Sequence, residues 1–334
     1  MVARCFVRCL SSHSRTCFNG VWPIVATPFQ ENESLDLEGF TKSIRFFADV
    51  GAAGATITGV LGESNRLTDA EREALIRTAV ESSPAGFPIC VGTSHAGTTA
   101  TAALSSMARE LGAAAVMVTP TKEAVPATDT TLYEYYVRVA EANPGLPIVL
   151  QDHPASTGVH MSAELIARIC ADVPEIACIK LEAVPTPPKI DKIRKLWNGD
   201  FSPASNCTIL TGLGALYAEF DQEQGIDGFM TGFAFPEILI AMDNAARIDN
   251  DLERARAIYT RFLPLIVYEQ QPGIAVRKEI YRLRGLIKCG KIRHPGSGLS
   301  DLAASALTAL LGRSFPADTD LKAPLPPSLF SELQ

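Results

Sequence analysis

Short apolar runs alternate with longer amphipathic stretches along most of this chain. The run Val21-Trp-Pro-Ile-Val-Ala-Thr-Pro28 ends in a turn, and residues 35–50 then space their apolar positions at the helical period. Further runs at residues 54–59, 88–92, 114–120, 147–151, 176–180, 207–212 and 228–232 are short and unbroken, as expected of strands buried on both faces. Helical spacing falls between them, from residue 68 onward and over 98–111, 131–142, 162–171 and 189–197. Thr68 with Glu71 three residues on reads as a capping box, and Ser162 as an N-cap. Parallel strands need helical crossovers, so strand–helix units in this order predict a parallel sheet. Eight of them predict an α/β fold of the closed (β/α)8 barrel type over residues 20–235. A doubly wound sheet is the competing architecture, but no strand is followed by G-x-G-x-x-G.

From Glu237 onward the pattern is helical throughout, with helices predicted at 238–248, 252–268, 273–287 and 300–311. These read as an extension appended to the barrel over residues 236–314. Residues 315–334 are expected as a tail, loose around Ala323-Pro-Leu-Pro-Pro-Ser328. Residues 1–19 stand apart: they carry Arg4, Arg8 and Arg15, and no acid precedes Glu31. That composition suits a mitochondrial transit peptide; an upstream leader or a disordered tail is the alternative. The expected location is the cytoplasm, or the mitochondrial matrix if the leader is a targeting signal.

Composition narrows the partners. Of 334 residues, 47% are hydrophobic and 20% charged, which is ordinary for a soluble globular chain. A net charge of -7 argues against a nucleic-acid partner, and no apolar stretch approaches the roughly 18 residues that span a membrane. None of the eight cysteines falls in a C-x-x-C pair, so they read as reduced core residues and not as a zinc site.

The chemistry collects at the strand ends. Lys180 closes the apolar run of residues 176–180, and a buried amine there is costly unless paired or used. One reading has it snorkel to water and pair with Glu182; another has it attack a carbonyl and form a Schiff base. After the second strand, Gly59-Val-Leu-Gly-Glu-Ser64 offers glycines that let backbone N–H groups approach a carboxylate, or is an ordinary tight turn. After the fifth, Gln151-Asp-His-Pro-Ala-Ser-Thr157 crowds polar groups together, although His153 by itself reads as a surface-loop residue. After the eighth, Thr231 and Gly232 border the mouth.

Together these segments resemble the dihydrodipicolinate synthase / N-acetylneuraminate lyase family of Schiff-base aldolases and dehydratases. The resemblance rests on Gly20-Val-Trp-Pro-Ile-Val-Ala-Thr-Pro-Phe29, the 59–64 loop, Ile179-Lys180, and Gly225-Ile-Asp-Gly228 with Gly232, and it covers residues 20–312. It implies a (β/α)8 barrel with C-terminal helices, a homotetramer or homodimer, a 2-oxo acid substrate, and no cofactor or metal. It makes Lys180 the imine-forming lysine and Gly59, Val60, Leu61, Gly62 and Glu63 the loop at the oxo-acid carboxylate.

Departures from the family pattern bear on substrate. Members that make dihydrodipicolinate carry a tyrosine and an arginine where this chain has Gln151 and Ser156, and two threonines where it has Val60 and Leu61. The tyrosine expected after the fourth strand is also missing from residues 119–123. The segment from Gln151 to Ser156, Glu182 two residues after Lys180, the loop from Met230 to Pro236, and the tail segments at Pro264–Glu269 and Arg293–Pro295 resemble instead the branch containing L-2-keto-3-deoxyarabonate dehydratase. The resemblance implies dehydration of a 2-keto-3-deoxy sugar acid. Glu182 is then the candidate for proton transfer, since strand alternation turns it to the side of Lys180; a simple ion pair is the alternative. Ser156 and Thr157 are candidates for binding substrate hydroxyls or holding a water, and Asp152 for orienting them or capping the following turn. Rival expectations are retro-aldol cleavage of a 4-hydroxy-2-oxo acid to pyruvate, a dihydrodipicolinate synthase-like condensation, a non-catalytic sugar-acid-binding barrel, and a metal-dependent lyase.

Overall fold

Eight short parallel strands form the centre of the molecule: β1 (Gly20–Pro23), β2 (Ala55–Ile57), β3 (Ile89–Gly92), β4 (Ala115–Val118), β5 (Ile148–Asp152), β6 (Ile176–Leu181), β7 (Thr208–Thr211) and β8 (Gly228–Thr231). They pair in the order β1-β8-β7-β6-β5-β4-β3-β2, and a bridge between Ile24 and Thr56 brings β1 back towards β2. The result is a nearly closed (β/α)8 barrel. The computed structural model describes residues 16–121, 128–271 and 273–331. Most of the expected leader, together with Lys122 and Glu123, lies outside the described residues.

Strands buried on both faces favour apolar side chains, and most strand positions carry one; Gln151, Asp152 and Lys180 are the strongly polar exceptions. Around them run α1 (Leu37–Asp49), α2 (Asp69–Ser82), α3 (Thr98–Glu110), α4 (Asp129–Ala142), the single turn α5 (Pro154–Thr157), α6 (Ala163–Asp172), α7 (Thr186–Trp197) and α8 (Ala218–Glu223). The capping box forms, with Thr68 Oγ1 accepting from Glu71 N and the Glu71 carboxylate from Thr68 N. Ser162 caps α6 through Leu165 N. The short α5 and α8 carry too few residues to show a helical period, and the sequence pattern missed both.

The extension comprises α9 (Pro236–Asp243), α10 (Leu252–Gln270), α11 (Ile274–Leu283) and α12 (Asp301–Ser314). The helix expected at 238–248 is interrupted, because a π turn over Asn244–Ile248 follows α9. The helix expected to reach residue 287 stops at Leu283. Gly285 adopts φ 68, and the Leu286 N–H returns to the Tyr281 carbonyl, the pattern of a glycine C-cap. Nor is the tail loose. Leu325 and Phe330 are buried, Phe330 meets Phe262, and the fully buried Arg284 binds Glu237 and the Leu321 carbonyl. No helix among the described residues is long and apolar enough to cross a membrane.

Candidate active site

Lys180 and Gln151 are register partners on β6 and β5, so period-two alternation turns both into the barrel. Glu182 follows two residues after Lys180 and faces the same way; its N–H continues the ladder to the Asp152 carbonyl at 2.9 Å. Lys180 Nζ lies 3.3 Å from Glu182 Oε2, with both side chains buried. Gln151 Nε2 donates to the same Oε2 at 2.6 Å, and Leu213 N donates to Oε1 at 3.1 Å. A side chain at Gly212 would collide with the Glu182 carboxylate, so that glycine makes the room Glu182 occupies. Burial works to raise the Glu182 carboxyl, but Lys180, His153, the Gln151 hydrogen bond and the Leu213 N–H outweigh it and hold it below its ordinary value. The surroundings of Glu182 thus favour its carboxylate form beside Lys180.

These groups line an inner cavity of about 140 Å³ with Val60, Leu61, Thr231 and Gly232. His153 lines it as well, with Nδ1 3.9 Å from Glu182 Oε2 and 2.8 Å from Ser156 Oγ. The expected surface-loop histidine thus bonds Ser156 and lies near Glu182 without a hydrogen bond to it. Val60 and Gln151 also border a second, outer chamber of about 460 Å³, so the two spaces adjoin. The hydroxyl-bearing residues Thr58, Ser94, Thr119, Ser156 and Thr157 line it, with His95 and Gly59. No Lys, Arg, Asp or Glu lines this chamber among the described residues.

Three of the expected site residues lie elsewhere. Asp152 alternates outward from Gln151 and pairs with Lys189 at 2.5 Å; burial raises its carboxyl, against the pull of Lys189. Glu63, fully buried, bonds to Lys278 and to Arg66, the latter at 2.7 Å, and its carboxylate lines neither cavity. Gly62 closes the turn, its carbonyl accepting from Thr27 Oγ1 at 2.7 Å. Conversely, α10 and α11 send Gln270, Ile274 and Arg277 into the inner cavity, which the sequence reading did not foresee. A signal was present: Arg277 sits on one helical stripe with Ile274 and the buried Tyr281, a charge in an otherwise apolar row.

Non-glycine residues in the left-handed region flank the site: Thr58 and Glu63 after β2, Leu213 and Ala215 after β7. Such strain costs of order 1–3 kcal/mol per residue and gathers where backbone must meet a ligand. Among the described residues no group of three or more His, Cys, Asp or Glu is placed to hold a metal ion.

Known proteins share the sequence pattern and the fold of this chain. The model of the dihydrodipicolinate synthetase family matches residues 17–313. The L-2-keto-3-deoxyarabonate dehydratase of Azospirillum brasilense is 33% identical over 314 residues, 92% of this chain and 98% of that protein. A 4-hydroxy-tetrahydrodipicolinate synthase of Kosmotoga olearia is 30% identical, over 75% of this chain and 82% of its own. Among solved structures, dihydrodipicolinate synthase from Rhodopseudomonas palustris superposes with a TM-score of 0.83 at 32% identity, covering 89% of this chain and 97% of that one. A prophage protein of the same family from E. coli K12, solved with pyruvate, gives 0.80 at 25% identity over 89% of this chain and 98% of its own.

Proposed function

The chain belongs to the dihydrodipicolinate synthetase family, whose members are lyases, and from that premise we propose that it dehydrates a 2-keto-3-deoxy sugar acid through an imine on Lys180. One observation carries the reading: the amine of Lys180 sits 3.3 Å from a carboxylate, Glu182, which is fixed by a glutamine on β5. That pairing places a base beside an electron sink.

Lys180 Nζ adds to the C2 ketone, and loss of water leaves a protonated imine. Glu182 takes a proton from C3, and the C–H electron pair moves into the C2–N system as an enamine. The enamine expels the C4 hydroxyl, which leaves as water after receiving a proton from the His153–Ser156 pair or back from Glu182. Elimination leaves a C3=C4-unsaturated imine; loss of a proton from C5 and protonation at C3 convert it to a C4=C5 enol, whose ketonisation, with hydrolysis of the imine to free the lysine, yields a deoxy dioxo acid. The outer chamber supports a polyhydroxylated substrate chain, because it offers hydroxyls and, among the described residues, no cation for a second carboxylate. The likeness to the Azospirillum dehydratase over nearly its whole length supports the same class.

Incubation of purified protein with 2-keto-3-deoxypentonates and -hexonates, followed by product identification, tests the proposal. A deoxy dioxo acid is the expected product. Pyruvate with an aldehyde would assign retro-aldol cleavage instead.

A further inference from the structure

The proposed dehydration needs a contact at each carbon from C1 to C4. With the C1 carboxylate at the glycine loop after β2, whose Val60 and Leu61 line the inner cavity, C2 meets Lys180 and the C3 proton meets Glu182. C4 and its departing oxygen remain. A cavity of about 140 Å³ is well below the ~300 Å³ at which ordinary ligand pockets begin, so C4 must lie against a wall not yet used. Of the polar side chains on the strand ends, Gln151 is bonded to Glu182 and His153 to Ser156. The remaining wall is built by α10 and α11, which contribute Gln270, Ile274 and Arg277. Lys180 reacts as the neutral amine, so Arg277 is the one permanent cation lining the cavity among the described residues.

Arg277 is held by one end. Its Nε donates to Glu269 Oε2 at 3.1 Å, and Glu269, fully buried, also accepts from Ala234 N. Nη1 and Nη2 have no hydrogen-bond partner among the described residues. They lie beside the turn that fixes the base. Leu213 N donates to Glu182 Oε1, and a Cβ on the next residue, Gly214, would fall 2.8 Å from Nη2. Gly214 adopts φ 64 and has no Cβ, so the turn leaves that space to the guanidinium. At the loop after β8, a Cβ on Gly232 would lie 3.7 Å from Nη1. C4 is bonded to the carbon from which Glu182 takes its proton, so the C4 oxygen falls in this same neighbourhood. The Arg277 side chain is 13% exposed, which keeps its donors largely out of water. Fixed donors aimed at a developing negative charge act most strongly in such surroundings.

We propose that Arg277, delivered by the C-terminal extension, binds the C4 oxygen of the sugar acid and stabilises it as it departs. The C4–O bond breaks with its electron pair going to oxygen, while the enamine pair forms the C3=C4 bond and restores the C2=N imine. The proton that completes water comes from the His153–Ser156 pair or from Glu182, and Arg277 keeps its own. This rests on the Schiff-base dehydration above and adds the group that assists its leaving oxygen.

The test separates chemistry at C3 from departure at C4. Pyruvate has no C4, so enzyme-catalysed exchange of its methyl protons for deuterium, followed by NMR, reads the imine and Glu182 alone. Dioxo acid formation from 2-keto-3-deoxypentonates reads the whole sequence of steps. In Arg277→Gln, exchange should stay within about threefold of wild type while dehydration falls roughly 10²-fold, the scale for losing one donor to a developing anion. Arg277→Lys should recover part of the loss. Equal falls in both readings would assign Arg277 a structural role, and dehydration at the wild-type rate would place the C4 oxygen elsewhere; both overturn the proposal. If Arg277→Gln does not fold, Arg277→Lys decides by the same two readings, since it keeps a charge opposite Glu269 and loses the second donor. Exchange retained with dehydration reduced then supports the proposal, and any other pattern overturns it. Failure of the underlying reading looks different: wild-type protein would exchange no pyruvate protons or form no dioxo acid, and the proposal falls with it.

Discussion

Glu63 and Lys278 stand 215 residues apart in the chain and meet as a fully buried ion pair. One belongs to the loop after β2, the other to α11, so the appended helices hold the rim of the barrel mouth directly. Lys278 also donates to the Lys291 carbonyl at 2.7 Å and lies over the Phe29 ring. Burial pulls the Lys278 ammonium down to about 8, against the support of Glu63.

Removing Lys278 takes one of two cations from the buried Glu63 carboxylate and leaves it Arg66 at 2.7 Å and the Arg293 N–H at 3.1 Å. Lys278→Met should destabilise the protein by somewhat less than the roughly 3–5 kcal/mol of a fully uncompensated buried charge, because Arg66 still faces Glu63. Lys278→Met with Glu63→Gln should recover part of the loss, because the fully buried carboxylate is gone and only the partly exposed Arg66 loses its partner. Urea unfolding of the three proteins measures both effects, and equal losses in the single and double variants would contradict the account.

Lys180 should become covalently modified by pyruvate or substrate. Mass spectrometry after borohydride reduction is expected to place the adduct on the peptide containing residue 180. An adduct of equal yield in Lys180→Ala would sink the imine mechanism.

Glu182→Gln keeps the shape of the side chain and removes the base. Turnover should fall by roughly 10²-fold or more, the scale for losing a general acid or base. Trapping at Lys180 should largely survive, since attack on the ketone needs the amine. Near-normal turnover would leave Glu182 as an ion-pair partner and move proton transfer to the His153–Ser156 pair.

The protein should not condense pyruvate with aspartate semialdehyde efficiently. Gln151 is hydrogen-bonded to Glu182, and Ser156 faces an outer chamber without a cation among the described residues. Neither can bind a second carboxylate by charge. Rapid dihydrodipicolinate formation, followed by absorbance, is the contrary result.

Acid sensitivity should depend on Arg293. Its two terminal nitrogens bind the Glu71 carboxylate at 2.8 and 2.6 Å, and this hydrogen bonding is the main cause that lowers the Glu71 carboxyl from 4.5 to about 2. A carboxyl lowered on folding stabilises the native state above its unfolded pKa and loses that effect as pH falls through the folded one. Arg293→Met should therefore be less stable than wild type at neutral pH, with the gap narrowing from pH 4.5 towards 2. Urea midpoints at several acid pH values measure the gap; a constant difference would remove Glu71 from the explanation.

Much of the architecture was legible in the chain itself. Continuous apolar runs alternating with helical spacing fit a parallel barrel because both signals are local: a strand must bury two faces and a crossover helix one. Lys180 was legible for the same reason, as a charge ending an apolar strand, and so was the inward turn of Glu182, which follows from a period of two.

Tertiary structure decided where the remaining charges went. Asp152 obeys that same alternation and points out to Lys189, which its position beside Gln151 in a polar segment concealed. Glu63 sits in a loop, where no period dictates direction, and its partner lies on α11. Arg277 and Gln270 reach the cavity because α10 and α11 fold back over the mouth, and the tail is held down by Arg284 and Glu237. Sequence periodicity reports which face of its own element a residue occupies. What stands opposite that face, and so whether a buried charge is cancelled or left free for a ligand, is settled only when distant segments pack against one another.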